Sequence, residues 1–133
     1  VSEGFGHWRY WGDINVDESF GFVYLITNLV TGKKYLGKKQ FHAYKKKKKF
    51  KETDWRTYCG SSSEVHADIK KHGKKKFLFQ ILRVYKTRGG LVYGEANLQH
   101  KYDVLTERDN KGERIWYNKQ IASTRFIPKE YYS

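Results

Sequence analysis

The segment FGFVYLITN, residues 20–28, is apolar on both of the faces a strand would present. Side chains along a strand alternate between faces. A run of aromatic and β-branched residues at successive positions is therefore stable only with material packed on both sides. The chain must place one layer above this strand and another below it. KKKFLFQILRVY, residues 74–85, has the same character and reads as a second covered strand, central in its sheet. KKYLGKKQF, residues 33–41, reads as the hairpin partner of the first strand across a turn in TNLVTGK. With Leu29 and Val30 at the tip of that turn, residues whose numbers sum to 59 face each other. Tyr24 and Tyr35 then stand directly opposite on one face, about 5 Å apart at Cβ.

Helices are signalled in two places. In SSSEVHADIKKHG, Ser61 with Glu64 makes a capping box, Lys70, Lys71 and His72 complement the last turn, and Gly73 follows as the stop. In LVYGEANLQHKYDVLTER, residues 91–108, Leu91, Leu98, Tyr102 and Leu105 share one arc, after RGG breaks the chain. Glu95 falls in that same arc. A carboxylate on a core-facing stripe is costly unless it is paired, hydrogen-bonded or bound to a cation. The order is strand, strand, basic loop, helix, strand, helix, tail. This is an α+β fold with a small, mainly antiparallel three-stranded sheet flanked by helices. Residues 1–133 suit one domain, with an N-terminal aromatic arm over 1–19, a core over 20–121 and a tail over 122–133. Trp8, Tyr10 and Trp11 would pack the arm onto the core.

Charge narrows the function. Lys and Arg number 27 against 14 Asp and Glu, a net +13, which points to a polyanionic partner and above all to nucleic acid. Lys45, Lys46, Lys47, Lys48 and Lys49 are consecutive. Their mutual repulsion predicts a mobile loop or frayed helix that tracks phosphates. Ser61 and Ser62 could meet a phosphate at the following helix N-terminus. No apolar run is long enough to span a membrane, and no signal-peptide pattern opens the chain. Cys59 is alone, which excludes a disulfide framework or a cysteine zinc site within one chain and fits a reducing compartment. The histidines lack paired-ligand spacing, DIK at 68–70 lies on a helix rather than a strand, and no Walker loop or GxSxG elbow occurs. What remains is two tyrosines, adjacent lysines, one misplaced glutamate and Asn118, a set sufficient for phosphodiester hydrolysis.

These residues stand in an order that resembles a known family. GFVY followed by KYLGKK resembles the motif of the GIY-YIG nucleases, with Phe22-Val23-Tyr24 as the first element and Tyr35-Leu36-Gly37 as the second. The eleven-residue spacing of the tyrosines is typical of that family. DWRTYCGSS, DIKKHGKKKFLFQIL, GEANLQ and YNKQI extend the likeness over residues 20–121, toward a phage-encoded, homing-endonuclease-like branch. The resemblance implies that Tyr35 is the general base, directly or through Tyr24, and that Glu95 is the single carboxylate ligand of Mg²⁺ or Mn²⁺. It also implies that Asn118 braces the site.

Three positions depart from the family pattern. Phe22 replaces the first glycine, Leu36 replaces the usual Ile or Val, and the register of the family arginine falls on Lys45. The cationic role then passes to Lys38, Lys39, Lys45 or Arg56, with Lys38 and Lys39 favoured and Arg56 next. The implied activity is metal-dependent DNA hydrolysis to 5′-phosphate and 3′-hydroxyl ends, without a small-molecule cofactor, in the cytoplasm of an infected bacterium. The competing reading is a catalytically inactive basic module that binds DNA or RNA, or a ribosome-associated basic protein.

Overall fold

The computed structural model describes residues 3–121. It contains β1 (Gly21–Asn28), β2 (Lys34–Gln40), β3 (His42–Lys45), β4 (Lys48–Glu52), α1 (Ser63–His72), β5 (Phe77–Tyr85) and α2 (Arg88–Lys101). One antiparallel sheet has the order β2-β1-β5, and β3 with β4 forms a separate ribbon. The α+β class and the three-stranded antiparallel sheet agree with the sequence expectation. No helix among the described residues is long and apolar enough to cross a membrane.

β1 is the central strand, and its two apolar faces are used as its composition demands. Phe22, Tyr24 and Ile26 face a core with Trp8, Phe41, Trp55, Val65 and Phe79. Val23 faces a second core with Leu36, Tyr85, Leu91, Val104 and Trp116. β5, expected to be central, is an edge strand. Its apolar character is explained by the N-terminal arm. The Arg9 amide donates to the Phe79 carbonyl at 2.9 Å, and the Ile81 amide donates to the Arg9 carbonyl at 2.9 Å. Trp8 is buried beneath this bridge, whereas Trp11, expected to pack, is fully exposed.

The β1–β2 register differs from the expected one by two residues. Tyr24 pairs with Gly37 and Tyr35 pairs with Ile26, so facing numbers sum to 61. The Asn28 side chain causes the shift. Its Oδ1 accepts from the Val30 and Thr31 amides, and the turn closes at Gly32 with φ +81°. A shift of two keeps each side chain on its face. The tyrosines thus remain on one face as diagonal neighbours, with ring centroids 6.2 Å apart.

The lysine run is neither a loop nor a helix. Lys45 and Lys48 end the two strands of the ribbon, and Lys46 and Lys47 form its turn with φ of 52° and 66°. That left-handed pair matches the tight turn that suits strand twist. The ribbon is rooted by buried Phe41 and His42, by Tyr44 packed on Phe20 with centroids 5.2 Å apart, and by the Thr53 hydroxyl donating to the Gln40 carbonyl at 2.8 Å. Anchoring at its base outweighs repulsion among ammoniums that point into water.

Two helix boundaries also move. Ser62, not Ser61, caps α1, its Oγ accepting from the Val65 amide at 3.3 Å. RGG does not break the chain. Thr87 caps α2, and Arg88, Gly89 and Gly90 form its first turn. The helix ends at Lys101, so Leu105 lies beyond it, and Tyr102 is largely exposed. The tail over 122–133 lies outside the described residues.

His7 ties the arm to the site. Its ring stacks on Phe79 at 3.9 Å, and Nε2 donates to the Tyr58 carbonyl at 2.8 Å. Burial, reinforced by the Lys74 charge and only partly opposed by that hydrogen bond, lowers its pKa to about 4. The unfolded chain therefore takes up a proton near the ordinary value of about 6.5, while the folded chain resists until about 4. Stability conferred by neutral His7 is full above that window and is lost as pH falls through it. Thermal melts should show that His7→Gln loses less stability than wild type on going from pH 7 to about 4. Parallel curves would remove His7 as the linked group.

Candidate active site

Tyr24 lies in the middle of β1 and is almost fully buried. Two glycines make room for its hydroxyl. A Cβ at Gly37 would stand 2.5 Å from the Tyr24 oxygen, and one at Gly60 would stand 3.3 Å from it, on a backbone at φ +85°. The Tyr58 ring approaches edge-on, with centroids 6.1 Å apart, and its hydroxyl hydrogen-bonds that of Tyr24. Burial first, then the neighbouring phenols of Tyr35 and Tyr58 and the Glu95 carboxylate, pushes the Tyr24 hydroxyl well above its ordinary pKa. Tyr24 is thus a committed proton donor. Burial also raises Tyr58, with hydrogen bonds from Ser61 and Tyr24 acting in the opposite direction. The Tyr35 hydroxyl reaches the accessible side of this cluster, 3.1 Å from Ser61 Oγ.

Glu95 projects from α2 and is 9% exposed. Burial raises its carboxyl pKa, and Lys38 acts against that rise. Lys38 Nζ stands 3.8 Å from Oε1, a long ion pair whose lysine is partly in water. Strand alternation sends Lys39 the other way, where its ammonium meets Asp54 at 3.0 Å and covers the Tyr58 ring at 4.0 Å. The two favoured lysines therefore lie on opposite faces of β2, Lys39 with the phenols and Lys38 with Glu95. Arg56 is engaged elsewhere. It donates to Glu52 at 2.7 Å and to the Gly4 carbonyl at 2.7 Å, and lies over the Trp55 ring. Lys45, at the end of β3, has its ammonium over Phe50 at 5.7 Å. Lys46, Lys47 and Lys48 lie at the exposed ribbon tip, and Lys49 donates to the Asp17 carbonyl. Ser61 joins the phenols, while the Ser62 hydroxyl is used in the helix cap.

Asn118 brackets β2. Its Oδ1 accepts from the Leu36 amide at 3.0 Å, and its Nδ2 donates to the Leu36 carbonyl at 2.8 Å. Gln99, one turn after Glu95, donates to the same carbonyl at 3.3 Å. Sequence reasoning missed Tyr58 and Gln99 as site residues. The signals were present in DWRTY and in the four-residue spacing of GEANLQ, which sets Glu95 and Gln99 on one helix face.

A divalent metal can be tested against these groups. Among the described residues no three His, Cys, Asp or Glu side chains stand together. Mg²⁺ does not need such a cage. It keeps several waters and is commonly held by one or two carboxylates together with substrate phosphates. Glu95 is a buried carboxylate whose nearest cation among the described residues, Lys38 at 3.8 Å, leaves its charge incompletely matched. A single-carboxylate site therefore fits, with Glu95 as the protein ligand.

The bracket has a measurable cost of removal. Asn118→Ala leaves a buried amide without its acceptor, and urea unfolding should show a loss of about 1–3 kcal/mol. Asn118→Asp retains an acceptor but cannot donate to the Leu36 carbonyl, so it should be at least as damaging. Unchanged stability in both variants would show that β2 does not depend on this side chain.

The family model described as "Putative endonuclease segE, GIY-YIG domain" matches residues 7–121. No curated protein matches the chain, and no solved structure does. The match takes in the arm bridge, the paired tyrosines, the α2 carboxylate and the asparagine bracket, and by it the chain belongs to the GIY-YIG nuclease family, in its segE type.

Proposed function

We propose that this chain is a metal-dependent DNA endonuclease that hydrolyses phosphodiester bonds to 5′-phosphate and 3′-hydroxyl ends. The observation that carries the reading is Glu95, a buried carboxylate within a domain of net charge +13. A module that only binds phosphate gains nothing from a carboxylate beside its cations, since the two repel. A cation on Glu95, Mg²⁺ or Mn²⁺, would neutralise charge on the non-bridging and leaving oxygens. Lys38 supports Glu95 and presents its ammonium to the phosphoryl oxygens.

Water attacks phosphorus, and Tyr35 accepts its proton as the base, acting as the phenolate after its own proton has passed to solvent. The P–O3′ bond breaks, the phosphate stays on the 5′ end, and the 3′-oxygen leaves and takes a proton from a solvent water. Tyr24 remains protonated and fixes the geometry of the neighbouring phenols through Tyr58. Lys39 adds positive potential on the far side of the phenols. Lys45, Lys46, Lys47, Lys48 and Lys49 on the ribbon hold the DNA backbone, and Ser61 faces the substrate at the entrance to α1. In this reading the chain works as one nuclease domain on phage business in the cytoplasm of an infected bacterium.

The test is a supercoiled-plasmid assay in Mg²⁺, in Mn²⁺ and in EDTA. Wild type should nick or linearise the plasmid with metal only. Glu95→Gln should abolish cleavage while DNA retardation survives and the melting temperature holds or rises, because a poorly matched buried charge is removed. Tyr35→Phe should slow cleavage by about a hundredfold or more, in keeping with loss of a general base. No cleavage with any metal, and equal retardation by wild type and Glu95→Gln, would make the chain a binding module.

Replacing Lys45–Lys49 by serines should weaken DNA binding on every sequence. Each lost phosphate contact should also flatten the log-affinity against log-salt slope by about 0.9. A slope equal to that of wild type would reduce the ribbon to a solubilising feature.

A further inference from the structure

A cleft of about 390 Å³ opens beside the Glu95–Lys38 pair. Its walls come from three elements. β2 supplies Lys38 and Lys39, the base of the ribbon supplies His42, Tyr44 and Thr53, and the first turn of α2 supplies Arg88. Among the described residues no carboxylate lines it. The other prominent cleft, in contrast, mixes Asp68, Asp109 and Glu113 with Lys71 and Arg114.

His42 is 7% exposed, and its Nδ1 has no hydrogen-bond partner among the described residues. A buried polar atom left unpaired is uncommon and costly. The Nε2 side offers little relief, since the Asp17 carboxylate is 3.9 Å away and itself lies in water. Arg88 holds its guanidinium over the Phe20 ring at 5.2 Å, which leaves the planar donor edge available to a second partner. Its own element adds a positive helix terminus, whose cap side chain accepts from the Gly90 amide.

We propose that this cleft is a phosphate subsite that holds a backbone phosphodiester of the nucleotide adjoining the one cleaved. The Arg88 guanidinium donates to its non-bridging oxygens, the His42 ring forms part of the wall against them, and Lys39 supplies further charge. This assignment deepens the nuclease reading and rests on it for the identity of the ligand as DNA. The subsite connects two features that are otherwise separate. A strand leaving Glu95 enters the cleft past Lys38 and emerges at the base of the lysine ribbon.

The test uses thymidine 3′,5′-bisphosphate as the probe, titrated into the full chain in EDTA with the histidine ring resonances followed by NMR. The His42 signals should shift saturably, while those of His72 and His100 on the helix surfaces stay in place. Arg88→Gln should weaken the probe at least fivefold, and His42→Asn should do the same with its melting temperature checked alongside. Inorganic phosphate should bind more weakly than the bisphosphate.

A silent His42, or an affinity unchanged by Arg88→Gln in a folded protein, would overturn the subsite. Equal affinity for inorganic phosphate would mark a free-anion site and overturn the DNA assignment. The probe needs no cleavage, so its outcome is separable from the plasmid assay. Binding without nicking would leave the subsite and remove the enzyme, and nicking without binding would do the reverse.

Discussion

The side-chain amide of Asn118 is the contact on which the site's geometry depends. It pairs with both polar groups of the Leu36 peptide, as a neighbouring strand would, at the exposed edge of β2. Leu36 sits between Tyr35 and Gly37, so fixing its peptide fixes the direction of the Tyr35 ring and the gap that admits the Tyr24 hydroxyl. The surrounding chain repeats the device. The Lys34 amide donates to the Ile115 carbonyl, and the Tyr117 amide donates to the Lys34 carbonyl. Arg114 holds the backbone carbonyl of Asn118. An edge that would otherwise recruit another strand is thereby closed and made rigid.

Against that rigid edge the charges are poorly matched. Among the described residues Glu95 is buried with only a distant lysine, Tyr24 is kept from ionising, and His42 has an unpaired ring nitrogen. Each costs stability, and the apolar layers on both faces of β1 offset the sum. Such mismatches gather around β2, with the phenols on one face, Glu95 and Lys38 on the other, and His42 at the base of the ribbon that follows. Away from it most polar side chains are paired, as where Asn28 Nδ2 donates to the Tyr117 hydroxyl, which in turn donates to Asp68 at 2.6 Å, although His7 Nδ1 on the arm is also left without a partner among the described residues. The contrast locates the surface that awaits a partner.

Much of this was legible in the sequence because it depends on periodicity. The covered strand, the hairpin, both helices and the carboxylate on the α2 face follow from alternation and from the helical repeat. What could not be read depends on single side chains that act outside those periods. The register turned on one amide, Asn28, gathering two turn N–H groups. β5 looked central because the arm that covers its edge is distant in sequence. The lysine run looked unstructured because charge density carries no information about Phe41 and Thr53 anchoring its ends. Shifting the α1 cap by one residue to Ser62 was invisible in SSS, yet it frees Ser61 for the phenols. The spacing in GEANLQ sets Gln99 on the face of Glu95, and DWRTY holds Tyr58, but the partners of both, the Leu36 carbonyl and the Tyr24 ring, are distant in sequence.

The bracket at Asn118 also bears on the order in which the protein is made. A ribosome releases the chain from its N-terminal end, so the arm, all the phenols and Glu95 emerge well before Asn118. Until then β2 has an open edge and the Leu36 peptide has no fixed orientation. A nascent chain thus contains every ionisable group of the site and still lacks the frame that aligns them. Synthesis itself therefore postpones assembly of the site until the segment that frames β2 has been made.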